Sequence, residues 1–117
     1  MKLAFSSPLP PSRSGIADYS AMLLPPLAAK AEVTVFLAPD APPPEGMPPG
    51  LVCRPAEDYR PADFDLALYQ MGNSVHHAFV YRQLLQHPGI TVLHEPCLHH
   101  FTAHITIGQG DLGAYVR

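Results

Sequence analysis

The stretch from Asp65 to His100, DLALYQMGNSVHHAFVYRQLLQHPGITVLHEPCLHH, limits the folds open to this chain more than any other. Two short apolar runs, Leu66 to Tyr69 and Ile90 to Leu93, flank a segment with helical periodicity. Within Ser74 to Gln86, Val75, Ala78, Tyr81 and Leu85 fall on one face, and Asn73 or Ser74 can cap the start. His87-Pro88-Gly89 ends the helix. A strand, a helix and a second strand at this spacing form a parallel crossover, and both strands are expected to be buried. In such sheets ligands collect just beyond the carboxyl ends of the strands. Here those ends run into Gly72-Asn73-Ser74 and into His94-Glu95, followed by His99-His100.

The same alternation runs upstream. Lys2 to Phe5 reads as a first buried strand, and Ser6 to Ser14 as a Ser/Pro-rich loop. Gly15 opens a helix, capped by Ser14, with Ile16, Tyr19, Ser20, Leu23 and Leu27 on one face. Pro25-Pro26 should kink or interrupt it, because Pro25 removes a helical donor and clashes with the preceding turn. Glu32 to Leu37 is a β-branched, aromatic strand. Residues 38–50 hold six prolines and read as an extended, mobile surface loop. Leu51 to Arg54 suits a short edge strand, and Pro55 to Pro61 one turn of helix at most. Pro96 to Ile107 is a further candidate helix, and Asp111 to Arg117 looks like the start of another. The order β-α-β-(β)-β-α-β-α predicts an α/β, Rossmann-like parallel sheet flanked by helices, as one domain over residues 1–117. Because the last segment has no closing turn, the domain is expected to be part of a longer protein.

Composition narrows the function classes. Hydrophobic residues are 47% of the chain and charged residues 15%, with a net charge of −3. There is no basic cluster, so nucleic acid is not an expected partner. Fifteen prolines sit in loops and breaks and form no repeat. Cys53 and Cys97 have neither metal-type spacing nor the makings of a disulfide framework, so a reducing cytoplasm is the expected setting. No segment approaches 18 consecutive apolar residues.

Several residues can carry chemistry, each beside a plainer role. In Ser12-Arg13-Ser14-Gly15 the helix start presents free N–H groups that suit a phosphate, and Gly15 lets backbone approach a ligand. The loop matches neither GxGxxG nor a Walker sequence, and Gly15 also serves simply to begin a helix. Asn73 can hydrogen-bond a sugar hydroxyl or cap the helix. His76 and His77 lie in a first helical turn, where an imidazole can donate to a ligand or stand on the surface. His94 ends a strand and should face the crevice as a donor or proton carrier. A metal set of His94, Glu95, His99 and His104 is disfavoured: the first two histidines are five apart, not four, and Pro96 breaks a shared helical face. Cys97 has no thiol-enzyme motif around it and reads as a small buried hydrophobe.

PLPPSRSGIADYSAMLLPPLA, followed by YQMGNSVHHAFVY and HPGITVLHEPCLHH, resembles the amino-terminal domain of family 4 glycosyltransferases. The resemblance covers nearly all of the chain and implies the first of two Rossmann-like domains of a GT-B fold. It implies transfer of a sugar from a nucleotide-sugar donor to the hydroxyl of a sugar or lipid-linked acceptor. Anomeric configuration is retained, and no metal or other cofactor is required. This domain would hold the acceptor, and a second domain most donor contacts, so the chain alone is expected to fold without turning over. His94 matches the family histidine beside the transferred sugar. Gly15 matches the glycine that approaches the donor phosphate, with Ser14 where many relatives have a second glycine. Glu95 stands where many relatives have Asp. Asn73, His76 and His77 are the acceptor-side candidates. A cytoplasmic location follows, compatible with peripheral membrane association, and a face built to meet a second domain would favour self-association. The alternative is a non-catalytic Rossmann-like binding or association module. A nicotinamide-binding domain is a weaker alternative, since it would need a glycine fingerprint and an acidic residue after strand two, where Ala38-Pro39 stands.

Overall fold

A computed structural model describes residues 1–94 together with Ala103, Ile105 and Thr106. Five strands, β1 (Lys2–Ser6), β2 (Glu32–Leu37), β3 (Val52–Pro55), β4 (Leu66–Met71) and β5 (Ile90–Leu93), form one all-parallel sheet. Its order is β3-β2-β1-β4-β5. Helix α1 (Gly15–Ala28) follows β1, and helix α2 (Ala78–Gln86) follows β4. The expected α/β Rossmann-like architecture is therefore the observed one.

Side-chain alternation along the strands builds two cores, one per sheet face. Leu3, Phe5, Val33, Val35 and Leu37 join Leu24 of α1 on one face. Ala4, Phe36, Ala67, Tyr69 and Met71 join Val80 of α2 on the other. The polar residues that share these faces are paired in register. Ser6 Oγ donates to Gln83 Oε1 of α2 at 2.8 Å, and the Ser7 and Ser20 hydroxyls meet at 2.7 Å beneath α1. Such pairs are needed because an unbonded polar group in these positions costs its full desolvation.

The structure corrects six details. Helix α1 runs unbroken through Pro25 and Pro26. Both are exposed and sit in the last turn; the donors they lack would have reached the Ala21 and Met22 carbonyls one turn earlier, and Leu24 and Leu27 still anchor the segment. The buried face of α1 is Ala17, Ser20 and Leu24, while Tyr19 is 46% exposed. The α2 segment begins as a 3-10 turn over Val75–His77, and Ser74 stands at its start without a capping side-chain bond. Its buried face is His77, Val80 and Gln83, while Val75 and Leu85 point outward. Hydrophobic periodicity selected the wrong face because two of the three buried residues are polar: His77 Nδ1 bonds the Gln70 carbonyl and Gln83 Oε1 accepts from Ser6, while Gln83 Nε2 has no partner among the described residues. Strand β5 is an exposed edge, with Ile90 and Leu93 about half accessible; among the described residues it pairs only with β4.

The sixth correction concerns residues 38–50, a surface loop as expected but one that folds back instead of running extended. Turns at Gly46 (φ 72°) and Gly50 (φ 82°) fold the segment back. Glu45 N–H donates to Pro10 O at 3.1 Å, and Met47 packs on the α1-side core. The predicted segments 96–107 and 111–117 lie outside the described residues, apart from Ala103, Ile105 and Thr106. Among the described residues no helix is long and apolar enough to cross a membrane.

Gly89, between α2 and β5, has no room for a side chain. An added Cβ would stand 2.7 Å from Ala67 O and 3.0 Å from both Ala67 Cβ and the Tyr69 ring. Backbone cannot yield as a side-chain tip can, so Gly89→Ala should cost about 1–3 kcal/mol. Gly15→Ala meets nothing within 4 Å and should leave stability unchanged. Urea unfolding of the two variants tests the contrast; equal midpoints would contradict this packing.

Candidate functional site at the carboxyl edge

The sheet reverses its winding between β1 and β4. The chain leaves β1 toward β2 by way of α1, and leaves β4 toward β5 by way of α2. Loops that depart to opposite sides leave a crevice between them, the position where open α/β sheets bind ligands. A cleft of about 500 Å³ lies there. The loop after β1 contributes Arg13, Ser14 and Gly15. The loop after β4 contributes Asn73, His76 and His77, and the end of β5 contributes His94. Ser14, Gly15, Asn73, His76, His77 and His94, separated by up to 80 positions in the chain, thus line one space.

On its α1 side the cleft ends in a helix N-terminus. Ser14 is extended (φ −143°, ψ 148°), and its Oγ accepts from Ala17 N–H at 3.0 Å. The first N–H groups of a helix have no partner in the helical ladder. With Ala17 capped, those of Gly15 and Ile16 remain for a ligand. A Cβ on Gly15 would meet no atom within 4 Å, so packing does not require glycine there. The side chains that the described residues contribute to the cleft include Arg13 and three histidines but no carboxylate. Arginine and the helix dipole both favour an anion.

Across the cleft, Gln70 holds two histidines. Its side-chain Oε1 lies 2.6 Å from His94 Nε2, and its backbone carbonyl lies 3.0 Å from His77 Nδ1. An amide oxygen only accepts, so His94 is protonated on Nε2 and His77 on Nδ1. His94 is further held by its N–H to Met71 O at 3.0 Å, and its ring meets Tyr19 edge-on at a centroid distance of 4.8 Å. Its own ring stays exposed. His94 is therefore oriented and accessible, the combination that positional chemistry requires.

His77 differs. It is 1% exposed and forms the cleft floor rather than its surface. Burial, and then the neighbouring His76 and His94, push its pKa below the usual 6.5, against an upward pull from the Gln70 carbonyl. Gly72 makes room for this ring: a Cβ there would lie 2.9 Å from His77 Nε2 and 2.2 Å from Ile16 Cδ1. Gln70 and Tyr19 escaped the sequence reading. Strand β4 was expected to end at Tyr69, and only the polar residue placed just beyond that apolar run hinted at Gln70. Tyr19 was assigned to the core by its helical spacing. Among the described residues no three His, Cys, Asp or Glu side chains group as metal ligands. Glu95, Cys97, His99, His100 and His104 lie outside the described residues.

Comparison of the chain with protein-family models, with curated proteins and with solved structures finds no match in any of the three.

The neutral His77 makes stability depend on pH. Its folded pKa is lowered, so between that value and 6.5 the unfolded chain binds the extra proton. Stability should therefore fall as pH drops below about 6.5, with a slope approaching 1.4 kcal/mol per pH unit for one proton. Replacing His77 with Gln should flatten that part of the curve. A wild-type slope that survives the substitution would assign the titration to another group.

Proposed function

We propose that this domain is the acceptor side of a retaining, metal-independent glycosyltransferase that moves a sugar from a nucleotide-sugar donor to an acceptor hydroxyl. The observation that carries the proposal is the meeting of Ser14, Gly15, Asn73, His76 and His94 in one cleft at the sheet's winding reversal, with no carboxylate among the described residues that line it. The fold class is the one the family resemblance implies, and Ser14, Asn73, His76 and His94, all from the resembling stretches, fall on the same edge.

The chemistry is one of displacement at the anomeric carbon. A bond forms from the acceptor oxygen to that carbon on the face from which the diphosphate departs, so configuration is retained; the bond to the diphosphate oxygen breaks, and the acceptor's proton departs with the leaving group or with solvent. Negative charge grows on the diphosphate as it leaves. The Gly15 and Ile16 N–H groups, the positive end of α1 and Arg13 stabilise that charge, with no reorganisation at the moment of reaction. His94, fixed through Nε2 by Gln70, keeps Nδ1 for a hydroxyl of the transferred sugar. Asn73 and His76 align the acceptor on the facing wall. The remaining donor contacts, in this reading, come from a second domain.

Replacing His94 with Ala in the complete gene product should lower the rate of sugar transfer by about 10²-fold, the typical effect of losing one preorganised polar contact. The variant should stay folded, with a thermal midpoint lowered only by the loss of the bond to Gln70 Oε1, because His94 itself is exposed. Unchanged transfer in a folded His94→Ala protein would overturn the role of His94 and remove the main support for the reading.

A further inference from the structure

A second cavity of about 500 Å³ adjoins the cleft, and the transfer chemistry described above does not use it. Its walls include Pro8, Pro11, Pro39, Pro42, Pro44 and Phe79. This is the place of the Pro-rich segment folded back over the first loop, tied by the bond from Glu45 N–H to Pro10 O. Proline offers ring C–H surface and no backbone donor. Along its proline-rich part the wall offers few donors to replace the water lost by a buried sugar hydroxyl, and polar groups left unpaired against it would be costly. An apolar body loses nothing there. The volume lies within the range of roughly 300–1,000 Å³ typical of small-molecule sites. Charge does not select the occupant, because Arg82 and Asp40 line the cavity with opposite signs.

The cavity and the cleft are neighbours across one ridge. His76 lines both. Ser12 lines the cavity, and the next two residues, Arg13 and Ser14, line the cleft. Val75 and His76 repeat that arrangement on the other side of the ridge. One ligand can therefore reach from the apolar space into the polar one past His76.

We propose that the proline-walled cavity is a second acceptor subsite, holding the apolar body of an amphipathic acceptor whose hydroxyl lies in the cleft. The proposal rests on the reading of the cleft as a sugar-transfer site and adds the class of acceptor: an uncharged alkyl or aromatic glycoside rather than a free sugar. It also gives residues 38–44 a task, since they supply more than a third of the lining residues.

The test compares n-octyl β-D-glucoside, below its micelle concentration, with methyl β-D-glucoside, by ¹⁵N–¹H NMR titration of this chain. Octyl glucoside should move the amides of Ala38, Ala41, His76 and Phe79 and bind at least about tenfold more tightly, as burial of several methylenes requires. Ala41 is exposed and belongs to neither core cluster. Ala41→Glu should therefore weaken octyl glucoside at least about tenfold while the rest of the spectrum stays in place. Equal affinity for the two glucosides, shifts outside the cavity, or an Ala41→Glu variant that binds octyl glucoside normally would overturn the subsite. A parallel titration with nucleotide-sugars separates the two claims. Shifts at Gly15 and His94 without any octyl glucoside site would leave sugar transfer standing and remove the subsite. An octyl glucoside site in a chain whose cleft ignores every nucleotide-sugar would overturn the assignment to an acceptor and leave a simple amphiphile site.

Discussion

Everything functional in this domain depends on β1 being hydrogen-bonded on both sides. Lys2–Ser6 pairs in parallel with β2 on one flank and with β4 on the other. Parallel strands need long crossovers, so the chain must leave β1 on one side and β4 on the other. That divergence opens the cleft between the two outgoing loops. No side chain creates the crevice; the ladder does. The ladder is anchored at the strand starts, where Asp65 N–H donates to Lys2 O and Lys2 N–H to the Asp65 carboxylate, at 2.8 and 2.7 Å.

Within that frame, buried polar groups do the positioning. Gln70 uses its side chain for His94 and its carbonyl for His77, so one residue sets both the accessible ring and the floor beneath it. Ser6 and Gln83 fix α2 against the sheet, and Ser7 and Ser20 fix α1. Each of these pairs is worth only about 1 kcal/mol net, but losing one partner strands the other in an apolar layer. Their value lies in register. They hold the two helices, and the loops that precede them, at fixed positions on the two faces of the sheet.

Strand order aside, most of the architecture was legible in the sequence, for a definite reason. Strand pattern and turn chemistry agree at most elements: EVTVFL is β-branched, aromatic and short, and His87-Pro88-Gly89 stops a helix without ambiguity. Agreement of that kind between local signals is what specifies a fold. What misled was polarity in buried places. Val75 and Leu85 look like a core face and are exposed, whereas His77 and Gln83 look like surface and are buried. Hydrophobic periodicity cannot see a hydrogen bond to another element. Strand β5 misled in the opposite direction, since Ile-Thr-Val-Leu fits an edge as well as a centre. The candidate residues at the site were legible because polar residues at strand ends have few other reasons to cluster. Gln70 was not, because its role exists only once β4 and β5 are side by side.

The most direct measurement is a ¹⁵N–¹H NMR titration of this chain with a panel of nucleotide-sugars at millimolar concentration. The account predicts that a subset of the panel moves the amides of Gly15, Ile16 and Asn73 and the ring signals of His94 together, along one binding curve. Weak affinity is acceptable, since the reading places most donor contacts on another domain. Shifts confined to other parts of the surface, or a cleft that no member of the panel perturbs, would contradict the claim that this edge is a sugar-nucleotide site.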